Sequence, residues 1–78
     1  MKPHICLSDL HVGQRAIVQE LRSTGNTRRR FLDIGLIQNT VVQCLGHSPS
    51  GDPAAFLIRG AVIAIRAVDG QQVWVTPC

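Results

Sequence analysis

The sequence predicts a mainly β protein, a small β-barrel with one short inserted α-helix. Short runs rich in Val and Ile recur between clusters of turn-forming residues, which is typical of antiparallel strands. No crossover of a dozen residues joins successive runs, so the pattern does not fit a parallel sheet. One stretch between the first two runs changes from a period of two to the helical period, and it predicts the inserted helix.

Five strands are predicted from the Val/Ile runs and the turn formers around them. They cover residues 15–21, 40–45, 54–59, 61–66 and 72–76. A polar, Pro-rich loop at 46–53 separates the second strand from the third. Gly60 turns the third strand directly into the fourth, and Asp69 with Gly70 marks the turn before the last strand.

The helix is predicted over residues 27–34. Phe31 and Ile34 are three apart with Leu32 beside them, so the helix has one apolar arc about two turns long. Gly35, followed by an apolar residue, is typical of a left-handed helix end. The helix is therefore expected to pack one side against the barrel and to stop at Gly35.

Length, charge and cysteine content restrict the class of protein. At 78 residues the chain has room for one domain, and no apolar run approaches the roughly 18 residues of a membrane-spanning helix. The basic start of the chain meets polar residues before an apolar segment could form, so no export signal is predicted and the expected compartment is the cytoplasm. Three widely spaced cysteines fit free thiols in a reducing interior.

The order of short motifs along residues 7–75 resembles the FeoA family. The motifs are Leu7-Ser8-Asp9-Leu10, Gly13, Arg28-Arg29-Arg30-Phe31-Leu32-Asp33-Ile34-Gly35-Leu36, Pro49, Gly51-Asp52-Pro53, Arg59-Gly60 and Ala64-Ile65-Arg66. FeoA proteins are small cytoplasmic accessory proteins of bacterial ferrous iron uptake. The resemblance implies an SH3-like barrel, a single domain over residues 1–78 with its core at about 7–75, and a protein that assists iron uptake without carrying iron.

Period-two alternation predicts which strand residues point inward, and the resemblance chooses between the two faces where alternation alone is ambiguous. Alternation then predicts an inward set of Ala16, Val18, Val42, Cys44, Phe56, Ile58, Ile63, Ile65, Val73 and Val75. Four apolar residues fall on the outward face, namely Ile17, Leu57, Val62 and Trp74. They are either scattered surface residues or one patch that binds another protein or a second copy of this chain.

Arg28, Arg29 and Arg30 are the main candidates for partner binding. In a helix that starts at residue 27 they lie in the first turn, where the helix dipole disfavours cations, so helix stability does not explain them. One interpretation is that they are solvated or locally paired charges, with Arg29 pairing to Asp33. The other is that they bind an acidic protein, with Phe31 and Leu36 as apolar anchors.

The resemblance implies the identity of that partner. It is the membrane-bound FeoB transporter with its cytoplasmic G-protein domain, which this chain would contact without entering the membrane. Trp74 on the outward face is added to the candidate contact residues. No nucleic-acid partner is expected, because the net charge is only +3 and few aromatic side chains are available for base stacking.

Metal binding is a weaker prediction that rests on His4, Cys6 and Cys78. His4 and Cys6 share a face if their segment is extended, and Cys78 comes near them if the first strand pairs with the last. No Cys-x-x-Cys spacing is present. No cofactor is therefore required, and any bound ion would be adventitious zinc, which thiolate and imidazole ligands favour.

Enzyme functions are not supported by the residues. The sequence has no Ser/His/Asp spacing and no phosphate-binding G-x-x-x-x-G-K motif, so a non-enzymatic protein is predicted. An alternative keeps the fold but assigns a regulatory or nucleic-acid-associated barrel, because iron-dependent repressors end in a similar domain. Those repressors attach that domain to a DNA-reading domain that this sequence lacks.

Overall fold

The computed structural model describes residues 5–78, which form one six-stranded antiparallel sheet, a helix and a short helical turn. The sheet order is β1-β6-β2-β3-β4-β5, and within the described residues β1 and β5 are its two edges. The strands are β1 (Ile5–Cys6), β2 (Arg15–Leu21), β3 (Val41–His47), β4 (Ala54–Ile58), β5 (Ala61–Ile65) and β6 (Val73–Pro77); the helices are α1 (Gly25–Asp33) and α2 (Ala67–Gly70).

The predicted mainly β fold with an inserted helix is confirmed. The sheet curls around one core, although no hydrogen-bonded ladder joins β1 to β5 in the part of the chain described. Three elements are not predicted from the sequence: the four-residue helix α2, which contains Asp69 and Gly70, the short sixth strand β1, and a 3-10 helix at Leu7–Asp9. The Pro-rich loop reaches α2, where the Asp52 Oδ1 atom accepts a hydrogen bond of 2.9 Å from the Ala67 amide.

The core is built from the inward faces of the strands and from residues that close its ends. Every residue of the predicted inward set is buried except Ile63, which is half-buried because β5 lies at the sheet edge. Leu7, Leu10, Phe31 and Leu36 lie outside the strands and are also buried. Burial of these apolar side chains is the main term that stabilises a domain of this size.

α1 is fixed to the sheet by Phe31 and ended by Gly35. The Phe31 side chain is 0% exposed, whereas most of the helix faces solvent. Gly35 has a φ of 95°, the Leu36 amide donates to the Phe31 carbonyl at 2.9 Å, and the Gly35 amide donates to the Leu32 carbonyl at 3.1 Å. This pair of hydrogen bonds is a Schellman motif, so the predicted left-handed helix end is confirmed.

The hairpin between β4 and β5 packs against that helix end. Arg59 and Gly60 have φ values of 50° and 84°, as a two-residue type I′ turn requires. The Arg59 side chain lies across Gly35, where a Cβ atom would overlap the Arg59 Cδ atom. Gly35 is thus required both for its backbone conformation and for the space above it.

We expect Gly35→Ala to destabilise the protein more than Gly13→Ala does. Gly13 has a φ of 89° and no neighbouring atom within 4 Å of an added Cβ, so its substitution costs only the left-handed strain of about 1 kcal/mol. Gly35→Ala adds displacement of Arg59, at roughly 1 kcal/mol more. Urea denaturation measures both values. The excess should shrink in an Arg59→Ala background, and equal costs for the two substitutions would contradict the packing described.

Candidate partner-binding surface

The three arginines occupy the middle and the end of α1. The prediction that they lie in the first turn is wrong, because the helix begins at Gly25 and not at residue 27. Arg30 stands in the last turn, where the carbonyl end of the helix dipole favours a cation. The helix dipole therefore does not oppose these arginines, and it gives no reason to expect a binding partner. Any support for binding has to come from the exposed residues around them.

Two of the arginines are engaged within the protein. The Arg28 guanidinium donates a hydrogen bond of 2.9 Å to the Leu21 carbonyl at the end of β2. Arg30 forms an exposed ion pair of 3.4 Å with Asp69, which also pairs with Arg66 at 3.4 Å. These contacts attach α1 to β2 on one side and to α2 on the other.

Arg29 projects from the outer side of the helix. Over residues 5–78 its side chain forms neither a hydrogen bond nor an ion pair, so the predicted pairing with Asp33 is not found. An exposed guanidinium with no intramolecular acceptor keeps all its donors for water or for a partner carboxylate. Among the three arginines, Arg29 is the one whose charge the described fold does not use.

A groove runs between α1 and the end of β2. Leu32 and Ile37 form its apolar walls and are 41% and 47% exposed, whereas the buried Leu36 forms part of its floor. Arg28 crosses one end of the groove through its hydrogen bond to Leu21. The groove has a volume of ≈ 430 Å³ and is open to solvent; its lining residues are Gln19, Glu20, Leu21, Arg28, Leu32, Leu36, Ile37 and Gln38.

The prediction that Phe31 and Leu36 are exposed apolar anchors for a partner is wrong. Both side chains are 0% exposed and belong to the hydrophobic core, so a partner cannot reach them in this conformation. Their sequence neighbours Leu32 and Ile37 carry the exposed apolar surface instead. The sequence could have indicated Leu32 as a surface residue of the binding site, because it follows Arg28 by four residues and so lies beside it on the same side of the helix.

Trp74 does not belong to an outward patch with Val62. It lies on β6 opposite Cys6 and Glu20, and strands β2, β3 and β4 separate it from β5. The Arg22 guanidinium lies 4.6 Å from the centroid of its ring, a cation–π contact, and Arg22 also pairs with Glu20 at 2.9 Å. Trp74 is half-buried under this arginine, so the single four-residue patch considered from the sequence does not exist.

Two of the three metal candidates, Cys6 and Cys78, are not brought together. Cys6 is opposite Trp74 in the sheet, and Cys78 follows Trp74 by four residues, so their backbones lie roughly 13 Å apart at about 3.3 Å per residue. Two thiolates that share one zinc ion must each lie about 2.3 Å from it, which excludes this pair. His4 lies outside the described residues, and its pairing with Cys6 stays a prediction. Among residues 5–78 no group of three or more His, Cys, Asp or Glu side chains could hold a metal.

The three thiols differ in exposure, and burial changes the acidity of two of them. Burial raises the pKa of the Cys6 thiol above its ordinary value, and the Asp9 carboxylate adds to the increase. Burial likewise raises the pKa of the Cys44 thiol, partly offset by a hydrogen bond with the Gly46 backbone. Cys78 is exposed. The structure therefore places the accessible thiol at the C-terminal end of β6 and away from the groove.

The helix inserted between β2 and β3 of a curled antiparallel sheet defines a small SH3-like β fold with a surface groove. In the described part of the chain, no helix is long and apolar enough to cross a membrane. The chain belongs to the FeoA family, since the family model for the FeoA domain matches residues 5–77. The expected connection of the family with ferrous iron transport is thereby confirmed.

Known relatives agree with this assignment. A fusion protein of Porphyromonas gingivalis W83, Fe(2+) transport protein A/Fe(2+) transporter FeoB, is 32% identical over 70 residues, which are 86% of this chain. The chain spans only 8% of that protein's length. The solution structure of Chlorobium tepidum FeoA superposes with a TM-score of 0.88 at 29% identity, over 94% of this chain and 70% of that one.

More distant structures share the fold alone. Stenotrophomonas maltophilia FeoA in complex with zinc, described as a prokaryotic SH3 domain protein, has a TM-score of 0.78 at 24% identity over 91% of this chain and 88% of that one. A manganese-dependent transcriptional repressor has a TM-score of 0.87 at 18% identity, over 100% of this chain and 44% of the repressor. The predicted likeness to a repressor domain is therefore real at the level of architecture.

We expect alkylation by iodoacetamide to follow the order Cys78, then Cys6, then Cys44. The thiolate is the reacting form, so a raised pKa slows reaction at pH 8, and buried Cys44 needs the protein to open. Because the pKa of the Cys6 thiol is raised, its rate should continue to increase as the pH rises above 8. Mass spectrometry of the labelled peptides measures each rate. Equal rates in the native protein, and not only in denaturant, would contradict this description.

Proposed function

We propose that this chain is a non-enzymatic accessory protein of ferrous iron uptake that binds the cytoplasmic part of a FeoB-type transporter. The observation that carries the proposal is the Porphyromonas gingivalis relative, in which a FeoA segment and the transporter are one polypeptide. A covalent link holds two modules at high effective concentration, which is useful when they act on each other. In this protein the same encounter would bring the FeoA domain against the cytoplasmic part of the transporter.

The groove beside α1 supplies a surface suited to that encounter. Leu32 and Ile37 expose apolar side chains, and Arg28 and Arg29 place positive charge beside them. Apolar anchors next to arginine are the composition found at the centre of protein interfaces. The partner segment should therefore present an apolar side chain flanked by Asp or Glu, as on one face of an amphipathic helix.

The chemistry of the groove supports binding and not catalysis. Its polar side chains are two amides, one guanidinium and one carboxylate, and the carboxylate, Glu20, is already paired with Arg22 at 2.9 Å. A general base needs an unengaged group within reach of a substrate proton, and a nucleophile needs a base beside it. The residues that line the groove offer recognition through apolar contact and guanidinium hydrogen bonds.

Binding to the purified full-length transporter from the same organism, in detergent or nanodiscs, tests this proposal. We expect Arg29→Glu and Leu32→Ala each to raise the Kd about tenfold, because the first reverses a charge at the interface and the second removes an apolar anchor. Biolayer interferometry with the immobilised transporter measures both. Added salt should weaken the binding of Arg29→Glu less than it weakens the binding of the wild type. The variant has lost one of the charge pairs that salt screens.

Two exposed positions away from the groove serve as matched controls. Arg15→Glu reverses a charge on β2, and Val68→Ala truncates an apolar residue of α2 that is 60% exposed. Both should bind like the wild type. If the transporter does not bind the wild-type chain, the proposed function is wrong; if it binds all five proteins alike, the interface lies elsewhere than the groove.

A further inference from the structure

In the described part of the chain, the outer edge of β5 is a hydrogen-bonding surface with no strand paired to it. In residues 5–78, β5 pairs with β4 alone, and no backbone hydrogen bond outside that ladder involves Ala61–Ile65. Natural edge strands are usually protected by Lys, Pro or an inward-pointing charge. The sequence of β5 is Ala-Val-Ile-Ala-Ile and contains none of these, so its edge is open to another strand.

The β4–β5 hairpin decides which backbone groups face outward. In a two-residue type I′ hairpin the residues that flank the turn, here Ile58 and Ala61, form a hydrogen-bonded pair. Residues 61, 63 and 65 therefore bond to β4. The amide and carbonyl groups of Val62 and Ala64 point to the open edge, where both side chains are exposed.

We propose that two copies of this chain associate by antiparallel pairing of their β5 strands, with the twofold axis at Ile63. In this register Val62 faces Ala64 of the second copy, and each such pair exchanges both backbone hydrogen bonds. Registers with the axis at Val62 or Ala64 leave two residues at one end of β5 unpaired in both copies, whereas this register pairs the whole of β5. A shift by one residue would direct the wrong side chains to the core and is excluded.

Side chains on both faces fit this register. Ile63, the half-buried member of the inward set, meets its own copy as a close pair of β-branched residues, which stabilises antiparallel sheets. On the outer face Val62, which is 66% exposed, lies against Ala64 of the second copy. Ala64 borders a shallow apolar hollow of ≈ 400 Å³ next to Leu45 and Ala55, and this hollow receives the valine.

The charges at the ends of β5 do not oppose one another in this arrangement. Arg66 falls opposite Gly60 of the second copy, and Arg59 falls opposite Ala67. Each arginine thus faces an uncharged residue, and Arg66 is already paired with Asp69 at 3.4 Å. An arginine directly opposite its own copy would have argued against the register, since like charges in facing positions destabilise a sheet.

The interface is small, so the dimer should be weak. One five-residue strand buries less than the roughly 1,200 Å² of total surface that a stable interface needs. The Kd of the dimer should therefore lie in the range of tens to hundreds of micromolar. This corresponds to a free energy of dissociation of about 5 to 6 kcal/mol. The edge lies on β5 whereas the groove lies between α1 and β2, so this inference is independent of the proposed transporter contact.

Charge reversal at two exposed positions tests the register directly. Val62→Lys with Ala64→Lys places lysine opposite lysine of the second copy at both pairs, and Val62→Glu with Ala64→Glu does the same with glutamate. Each double variant should raise the dimer Kd at least about tenfold. An equimolar mixture of the two should associate again, and so should Val62→Lys with Ala64→Glu alone, because lysine then faces glutamate.

Analytical ultracentrifugation over about 10 µM to 1 mM measures these states, with circular dichroism to show that each variant is folded. Val12→Lys with Val41→Lys is the control for net charge, since these valines are 60% and 41% exposed and lie before β2 and on β3, away from β5, and it should dimerise like the wild type. A wild type that stays monomeric throughout would overturn the proposal. So would association of the like-charged variants at the wild-type Kd, dissociation of the control, or failure of the mixture to associate.

Discussion

The burial of the Phe31 side chain in the core is the constraint on which the proposed binding surface depends. With this ring fully buried, the rotation of α1 is fixed, and the Schellman motif at Gly35 fixes where the helix ends. Leu32 then faces β2 across the groove, and the chain after the helix carries Ile37 to the opposite wall. A change in the packing of one aromatic ring would move every side chain of the proposed interface at once.

The arginines divide between architecture and recognition. Arg28 and Arg30 connect the helix to β2 and to α2, and exposed contacts of this kind each contribute little to stability but hold their side chains in place. Arg29 has no such contact among the described residues and remains solvated. A run of three identical residues can therefore serve two purposes, and only the directions of the side chains separate them.

The two proposed surfaces would give this small domain two ways to associate. The groove combines apolar walls with positive charge and fits an acidic, amphipathic segment, whereas the β5 edge offers backbone hydrogen bonds and fits a strand of the same sequence. Because the surfaces do not overlap, a dimer would present two grooves. Two weak contacts to neighbouring transporter molecules would then reinforce each other by effective concentration.

The sequence by itself, through its alternation and its family resemblance, determined five of the six strands, the inward faces and the helix stop. Period-two alternation and a left-handed glycine are local signals, so Val18, Phe56 and Gly35 could be placed without a structure, and the motif order was enough to indicate the family. The tertiary structure alone decided which of the adjacent residues Phe31 and Leu32 is buried. A short apolar arc fits the sheet in more than one rotation, and the choice depends on the shape of the core that it meets.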